Sequence, residues 1–254
     1  MKVICEKKDG YAIIFLNNRE KKNALDFEMS KQLLDKCKEL STDDSVRAVV
    51  LTGKDGSFCA GWDIHEFIEG TDKSPVTHYE NIKVNADVFR FDYFLKKPVI
   101  AAVNGYALGG GFGLVAASHI VVANDKCKFG MPEMNLGIFP YCIYTSVKRA
   151  IGERLAIKLA LTREIFDAKY AYDIGLVHYI EEDPLEKACL LAESISSKSS
   201  LVIKFAMEAI YNSRRDDIQE DYLALLRIIN FTSKDLKEGA NAFLEKRNPR
   251  WRGE

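Results

Sequence analysis

Two short glycine-bearing turns carry the chemistry that this sequence can offer. Residues 98–118 read PVIAAVNGYALGGGFGLVAAS. Five strand-forming residues, 99–103, run into the turn pair Asn104 and Gly105, and three consecutive glycines, Gly109 to Gly111, then precede the apolar segment 112–117. Consecutive glycines cost backbone entropy, so they are expected where side chains are sterically forbidden. At the start of a buried helix they leave bare N–H groups facing negative charge, at the positive end of the helix dipole. A second turn, FCAGWDI at 58–64, follows another β-branched run, VRAVVLT at 46–52. Two strand-end turns that each offer one backbone N–H to the same point form an oxyanion hole. Two tight turns needed for the fold alone are the competing reading.

A dinucleotide site is the rival use of the glycines, because Gly111, Gly113 and Ala116 formally fit G-x-G-x-x-A after a strand. Six residues separate the strand from Gly110, however, and no strand-terminal acid follows about 20 residues on. A P-loop is excluded because no Gly-Lys-Ser/Thr follows the glycines. There is no G-x-S-x-G elbow, and the four histidines (His65, His78, His119, His178) lack metal-ligand spacing.

The elements that must position these turns alternate between strand and helix. Residues 1–5 and 11–16 read as strands joined by the hairpin signal Lys8-Asp9-Gly10. The spacing predicts a helix opening at 23–25 that carries Met29, Leu33, Leu34, Cys37 and Leu40. The run 46–52 reads as a strand buried on both faces. An amphipathic helix at 79–95 leads to the strand before the glycines, and 120–123 is a further strand. Alternation of this kind argues a parallel β/α core. From about residue 146 the chain reads as helices at 146–161, 167–174, 184–196, 199–212, 217–231 and 233–246, with strand character kept only at 177–180.

The composition agrees with a globular enzyme or binding protein. The 254 residues can bury a large core, and 47% apolar with 29% charged residues is ordinary for a folded domain. A net charge of −1 gives no electrostatic reason to expect nucleic acid or an anionic membrane as partner. No stretch approaches the roughly 18–20 apolar residues of a membrane span. The first ten residues lack a secretion-signal layout. The six scattered cysteines read as reduced, mostly buried thiols, and a cytoplasmic location is expected.

FCAGWDI, NGYALGGGFGL and FGMPEMNLGIFP, in that order and spacing, resemble the signature segments of the crotonase (enoyl-CoA hydratase/isomerase) superfamily. Lys22-Asn23-Ala24-Leu25 and the closing EGANAFLEKRNP extend the resemblance over essentially the whole chain. The resemblance implies an α/β fold with a crotonase-type ββα spiral core, residues 1–195, that holds the CoA-thioester site. A helical region, 196–254, would serve oligomerisation and CoA contact, in a homotrimer or dimer of trimers.

It also implies that the N–H groups of Trp62 and Gly110 hold the thioester oxygen of an acyl-CoA, a donor being worth roughly 2.7–4 kcal/mol of transition-state stabilisation. Ala60, Asp63, Ile64 and His65 fall where the family binds the adenine and pantetheine parts of coenzyme A. Lys22 falls where a basic residue meets the CoA phosphates, and Phe243 and Lys246 where C-terminal helices reach CoA. No metal and no redox cofactor is implied, since coenzyme A belongs to the substrate.

One departure bears on the reaction. Typical hydratases of this family carry two glutamates, and the resemblance places the first at Gly113 and the second at Glu133. Two carboxylates share the work of hydration easily. One can move a proton from carbon to carbon, or hydrate with water held by another group. The expectation is that Glu133 is the general acid/base, with its pKa raised by apolar surroundings. After it, Pro140-Tyr141-Cys142-Ile143-Tyr144-Thr145 stands where many members have a glycine-rich stretch, so Tyr141 and Tyr144 either border the acyl pocket or pack structurally. His119 replaces a common Asp and reads as structural. The expected function is an enoyl-CoA hydratase or isomerase acting through a thioester enolate. A decarboxylase or a weakly catalytic acyl-CoA-binding homologue are the alternatives.

Overall fold

A computed structural model describes residues 1–66, 84, 86–212 and 234–254. Strands β1 (Val3–Lys7) and β2 (Tyr11–Leu16) form an antiparallel hairpin, and β3 (Ala48–Gly53), β4 (Val99–Val103), β6 (Ile120–Ala123) and β9 (Tyr179–Ile180) follow β2 in parallel. Together they make a six-stranded sheet in the order β1-β2-β3-β4-β6-β9.

The sheet is apolar on both faces because it is covered on both. Ile14, Leu16, Val49, Leu51, Val99, Ala101 and Val121 face a core shared with helix α1 (Phe27–Ser41). The alternate residues Ile13, Ala48, Val50, Ile100, Ala102 and Val122 face Ala188 and Ala192 of helix α7 (Pro184–Ser196). A period of two along each strand divides the side chains between these layers. A fully buried leucine such as Leu33 or Leu40 contributes about 1.5–3 kcal/mol by leaving water.

Helix α1 starts later than its apolar spacing predicts. Lys22 and Asn23 adopt left-handed backbone (φ 49° and 57°), which no helix can continue. Asp26 then caps α1, its carboxylate accepting from Met29 N at 2.8 Å. At the other end the Lys97 ammonium donates to Leu40 O and Asp43 O, both at 2.6 Å, and so satisfies carbonyls that the helix leaves open.

The sequence reading misses a second, three-stranded sheet of β5 (Tyr106–Leu108), β7 (Lys128–Gly130) and β8 (Ile165–Asp167). Each strand has three residues, too few for a periodic signal. This small sheet feeds the glycines into helix α3 (Gly110–Ala117), and two residues after β7 the turn Pro132–Leu136 carries Glu133. The helix expected at 79–95 is broken: residues 84 and 86–88 are helical, 89–90 form a turn and helix α2 (Phe91–Leu95) follows, while 79–83 and 85 lie outside the described residues. The helix expected at 146–161 is two, α4 (Tyr141–Ile151) and α5 (Glu153–Thr162), separated by Gly152 at φ 81°. Helices α6 (Ala168–Asp173), α8 (Ser200–Asn212) and α9 (Lys234–Leu244) match expectation, and the helix expected at 217–231 lies outside the described residues. Among the described residues no helix is long and apolar enough to cross a membrane.

Candidate active site

The two glycine turns are in direct backbone contact. Phe58 N donates to Asn104 O at 2.7 Å, Cys59 N to Tyr106 O at 2.8 Å, and Leu108 N to Cys59 O at 3.1 Å. That ladder lays residues 58–61 along β5 and brings Gly61 against Gly109. A Cβ on Gly61 would lie 3.2 Å from Leu108 O, and one on Gly111 only 2.2 Å from Cys59 O. The glycines at 61 and 111 are therefore required by close backbone approach.

Trp62 sits opposite Leu25. Leu25 N donates to Gly61 O and Asp63 N to Leu25 O, each at 2.7 Å. Peptide groups alternate in direction along an extended chain, so the Trp62 amide points to the other edge. It has no hydrogen bond among the described residues. Gly110 opens α3, and the first amide to close a bond onto that turn is Gly113 N, onto Gly109 O at 3.0 Å. The Gly110 amide thus belongs to the open first turn at the helix's positive end.

Glu133 also reaches this turn. Its carboxyl Oε1 lies 3.0 Å from where a Cβ on Gly109 would stand. Oε2 is buried and accepts no hydrogen bond from any described group. Burial pushes the carboxyl up to about 7, its own backbone amide pulling weakly the other way. A carboxyl poised there can both accept and return a proton near neutrality. Trp62, Gly110 and Glu133, expected together from sequence, do fall around the first turn of α3.

The flanking candidates are placed less uniformly. The Lys22 ammonium lies over the Tyr106 ring, 5.2 Å from its centre, and its carbonyl accepts from Ala60 N at 3.0 Å. The Ala60 amide is therefore engaged within the chain. Asp63 is buried, pairs with the Lys21 ammonium and accepts from His65 N at 3.1 Å. Its burial favours the neutral acid, but Lys21 and the His65 amide outweigh that and hold its pKa low. Asp63 thus organises the turn from inside, whereas Ile64 and His65 are exposed beside it. Lys246 is exposed beyond α9 and makes no contact with the other candidates among the described residues; the Phe243 side chain lies outside them.

His119 holds the sheet together. Its Nδ1 accepts from Val99 N at 3.0 Å and its Nε2 bonds the Tyr211 hydroxyl at 3.2 Å. Tyr141 is exposed, and Tyr144 packs into the core beside Phe139, ring centres 5.4 Å apart. Among the described residues no group of three or more His, Cys, Asp or Glu is arranged to hold a metal ion. All six cysteines are free, and burial lifts the Cys59 thiol beside α3 to about 12, which keeps it neutral.

Sequence reasoning assigns no role to four residues that shape the site. Asn23 is fully buried, and its amide donates to Lys54 O at 2.8 Å and Ser57 O at 2.7 Å while its oxygen accepts from Asn18 N. Its positive φ is one that Asn tolerates. Phe89, Ile143 and Ser146 crowd the flank of α3, where Gly113 leaves no room for even a methyl: a Cβ there would lie 2.3 Å from Ile143 Cγ2 and 2.9 Å from Phe89 Cδ1. No sequence periodicity points to them.

Comparison with known proteins places the chain in a family. The family model described as enoyl-CoA hydratase/isomerase matches residues 6–254. The chain is 36% identical over 252 residues to the "Probable enoyl-CoA hydratase, mitochondrial" of Dictyostelium discoideum, covering 97% of this chain and 89% of that protein. It is 34% identical to the crotonyl-CoA hydratase of Syntrophomonas wolfei, over 96% and 95% of the two chains. The crystal structure of an enoyl-CoA hydratase from Mycobacterium smegmatis superposes with a TM-score of 0.91 at 28% identity, over 99% of each chain. With the family model matching residues 6–254 and the relatives matching in sequence and fold, this chain belongs to the enoyl-CoA hydratase/isomerase family of the crotonase superfamily.

Proposed function

We propose that the protein acts on an unsaturated acyl-CoA thioester by forming its enolate, with Glu133 as the group that carries the proton. The observation that carries this reading is the Glu133 carboxyl, with Oε2 buried and without a donor beside the open first turn of α3. The thioester oxygen would lie between the N–H groups of Trp62 and Gly110. Negative charge that develops there on deprotonation is stabilised by donors already in place and by the helix dipole. Because both donors are backbone groups, the bulky side chain at 62 does not disturb them and instead shapes the acyl pocket.

Glu133, charged above about pH 7, removes a proton or activates water, and in its neutral form returns the proton to carbon. Neither step needs a metal or a redox group, and coenzyme A enters with the substrate. The resemblance supports CoA contacts from Lys22, Ala60, Asp63, Ile64, His65, Phe243 and Lys246, and a homotrimer or dimer of trimers as the working assembly; the six free cysteines support a cytoplasmic location.

Glu133→Gln tests the reading. The variant keeps the size of the side chain, so CoA-ester binding measured by calorimetry should persist while turnover falls at least about a hundredfold. A variant that retains full turnover refutes the role of Glu133. A panel of 2-enoyl, 3-enoyl and malonyl-type CoA esters, followed by product mass and NMR, separates hydration, double-bond migration and decarboxylation. Binding without any product would mark an acyl-CoA-binding homologue instead.

A further inference from the structure

We infer that Phe89 and Ile143 are specificity-determining residues that close the α3 flank of the site against water, so that double-bond migration is favoured over hydration. The inference rests on the enolate reading above and narrows it.

Positions 110 and 113 share one face of α3. The Phe89 ring spans both, with Cζ 3.2 Å from a Cβ placed on Gly110 and Cδ1 2.9 Å from one placed on Gly113. Ile143 Cγ2 and Cβ fill the rest of the space at Gly113, at 2.3 and 2.8 Å. Both side chains are 3% exposed. Helix α4 holds the pair in place: Ile143 and Ser146 lie three residues apart on one face of it, and the buried Ser146 hydroxyl donates to Phe89 O at 2.8 Å. Ser146 is thus a positioning residue for the ring.

The surface beside the Gly110 amide is therefore carbon. A bound water needs two to four polar partners, and among the described residues the atoms that meet positions 110 and 113 are carbons of Leu25, Phe89 and Ile143. A polar molecule placed against it loses hydrogen bonds that it had in bulk solvent. Among the described residues the carboxyl that reaches the first turn of α3 is that of Glu133. One carboxylate at Gly109, with carbon at 110 and 113, is equipped to shuttle a proton and poorly equipped to orient an attacking water.

The favoured step balances without water. From a 3-enoyl thioester, Glu133 takes a proton from C2, and the C–H electron pair enters a dienolate whose charge rests on the thioester oxygen. The Glu133 O–H then gives its proton to C4, the C3–C4 double bond moves to C2–C3, and the carboxylate is restored. Nothing is oxidised or reduced.

The test compares 2-enoyl and 3-enoyl CoA esters of equal chain length, with migrated and hydroxylated products measured by NMR. Migration should exceed hydration in kcat/KM by at least about tenfold in the parent protein. Hydration equal to or faster than migration overturns this inference and leaves the enolate reading intact; turnover of neither ester, at any of several chain lengths, overturns both. Phe89→Ala and Ile143→Ala should raise the hydration-to-migration ratio. Ser146→Ala should shift it the same way by less, and Ser146→Thr should restore it. An unchanged ratio in a Phe89→Ala protein that retains its cooperative urea transition also overturns the inference.

Discussion

Replacing Glu133 by glutamine should make the protein more stable as well as inactive, and the gain should depend on pH. Burial lifts this carboxyl from 4.5 to about 7. At 1.36 kcal/mol per pKa unit, the folded protein bears roughly 3 kcal/mol of cost for holding Glu133 charged. The residue is only half-buried, and a glutamine amide brings donors that need partners of their own, so the expected net gain is about 1–2 kcal/mol. The folded pKa is raised, so the stabilising protonated form is fully present below about pH 4.5. It is lost as the pH rises through about 7, because only the unfolded chain ionises without penalty. The variant should therefore be no more stable than the parent near pH 4.5, gain on it progressively, and reach its full advantage above pH 7. Urea midpoints of both proteins at intervals from pH 5 to pH 8.5 measure this directly. A variant no more stable than the parent at pH 8, or a difference flat across the series, would refute the reasoning. A carboxylate that served only as a structural hydrogen-bond partner would give the opposite sign. Stability gained as activity is lost is what a group held for chemistry against its surroundings should show.

Three further outcomes follow from the same geometry. The acid limb of the kcat/KM profile should fall near pH 7, since the ionised form of Glu133 starts the reaction; a limb in the ordinary carboxylate range would count against it. Asn23→Ala leaves two carbonyls and the Asn18 amide without their partner, and should cost about 2–3 kcal/mol in urea unfolding and raise KM for CoA esters through the loosened 18–25 loop. Gly111→Ala would drive a methyl to within 2.2 Å of the Cys59 carbonyl, so it should destabilise by about 1–3 kcal/mol despite alanine's better helix propensity, and a thermal scan showing no loss would contradict the close approach.

Much of the scaffold was legible in the chain. The runs at β2, β3, β4 and β6 are continuous and β-branched because both of their faces are covered, and that is the signature of buried parallel strands. The spacing of Met29, Leu33, Cys37 and Leu40 marked α1, although the left-handed pair Lys22 and Asn23 delays its start to Asp26. The three-residue strands β5, β7 and β8 escaped because pairing with distant partners, and not local pattern, makes them strands.

The candidate site divides in the same way. Glycine at 61 and 111 states in the sequence that backbone must approach backbone there, and Glu133 in its motif names a carboxyl nearby. The sequence also shows that position 113 bears no side chain. Only the tertiary structure decides what fills that space: Phe89 arrives from a distant segment, Ile143 from α4, and Ser146 pins one to the other. Likewise, only packing lifts Glu133 to about 7, because a carboxyl's pKa depends on how much water its neighbours exclude and those neighbours are far away along the chain. Local residue types fix which groups are available to react; long-range packing sets their protonation and what can stand beside them.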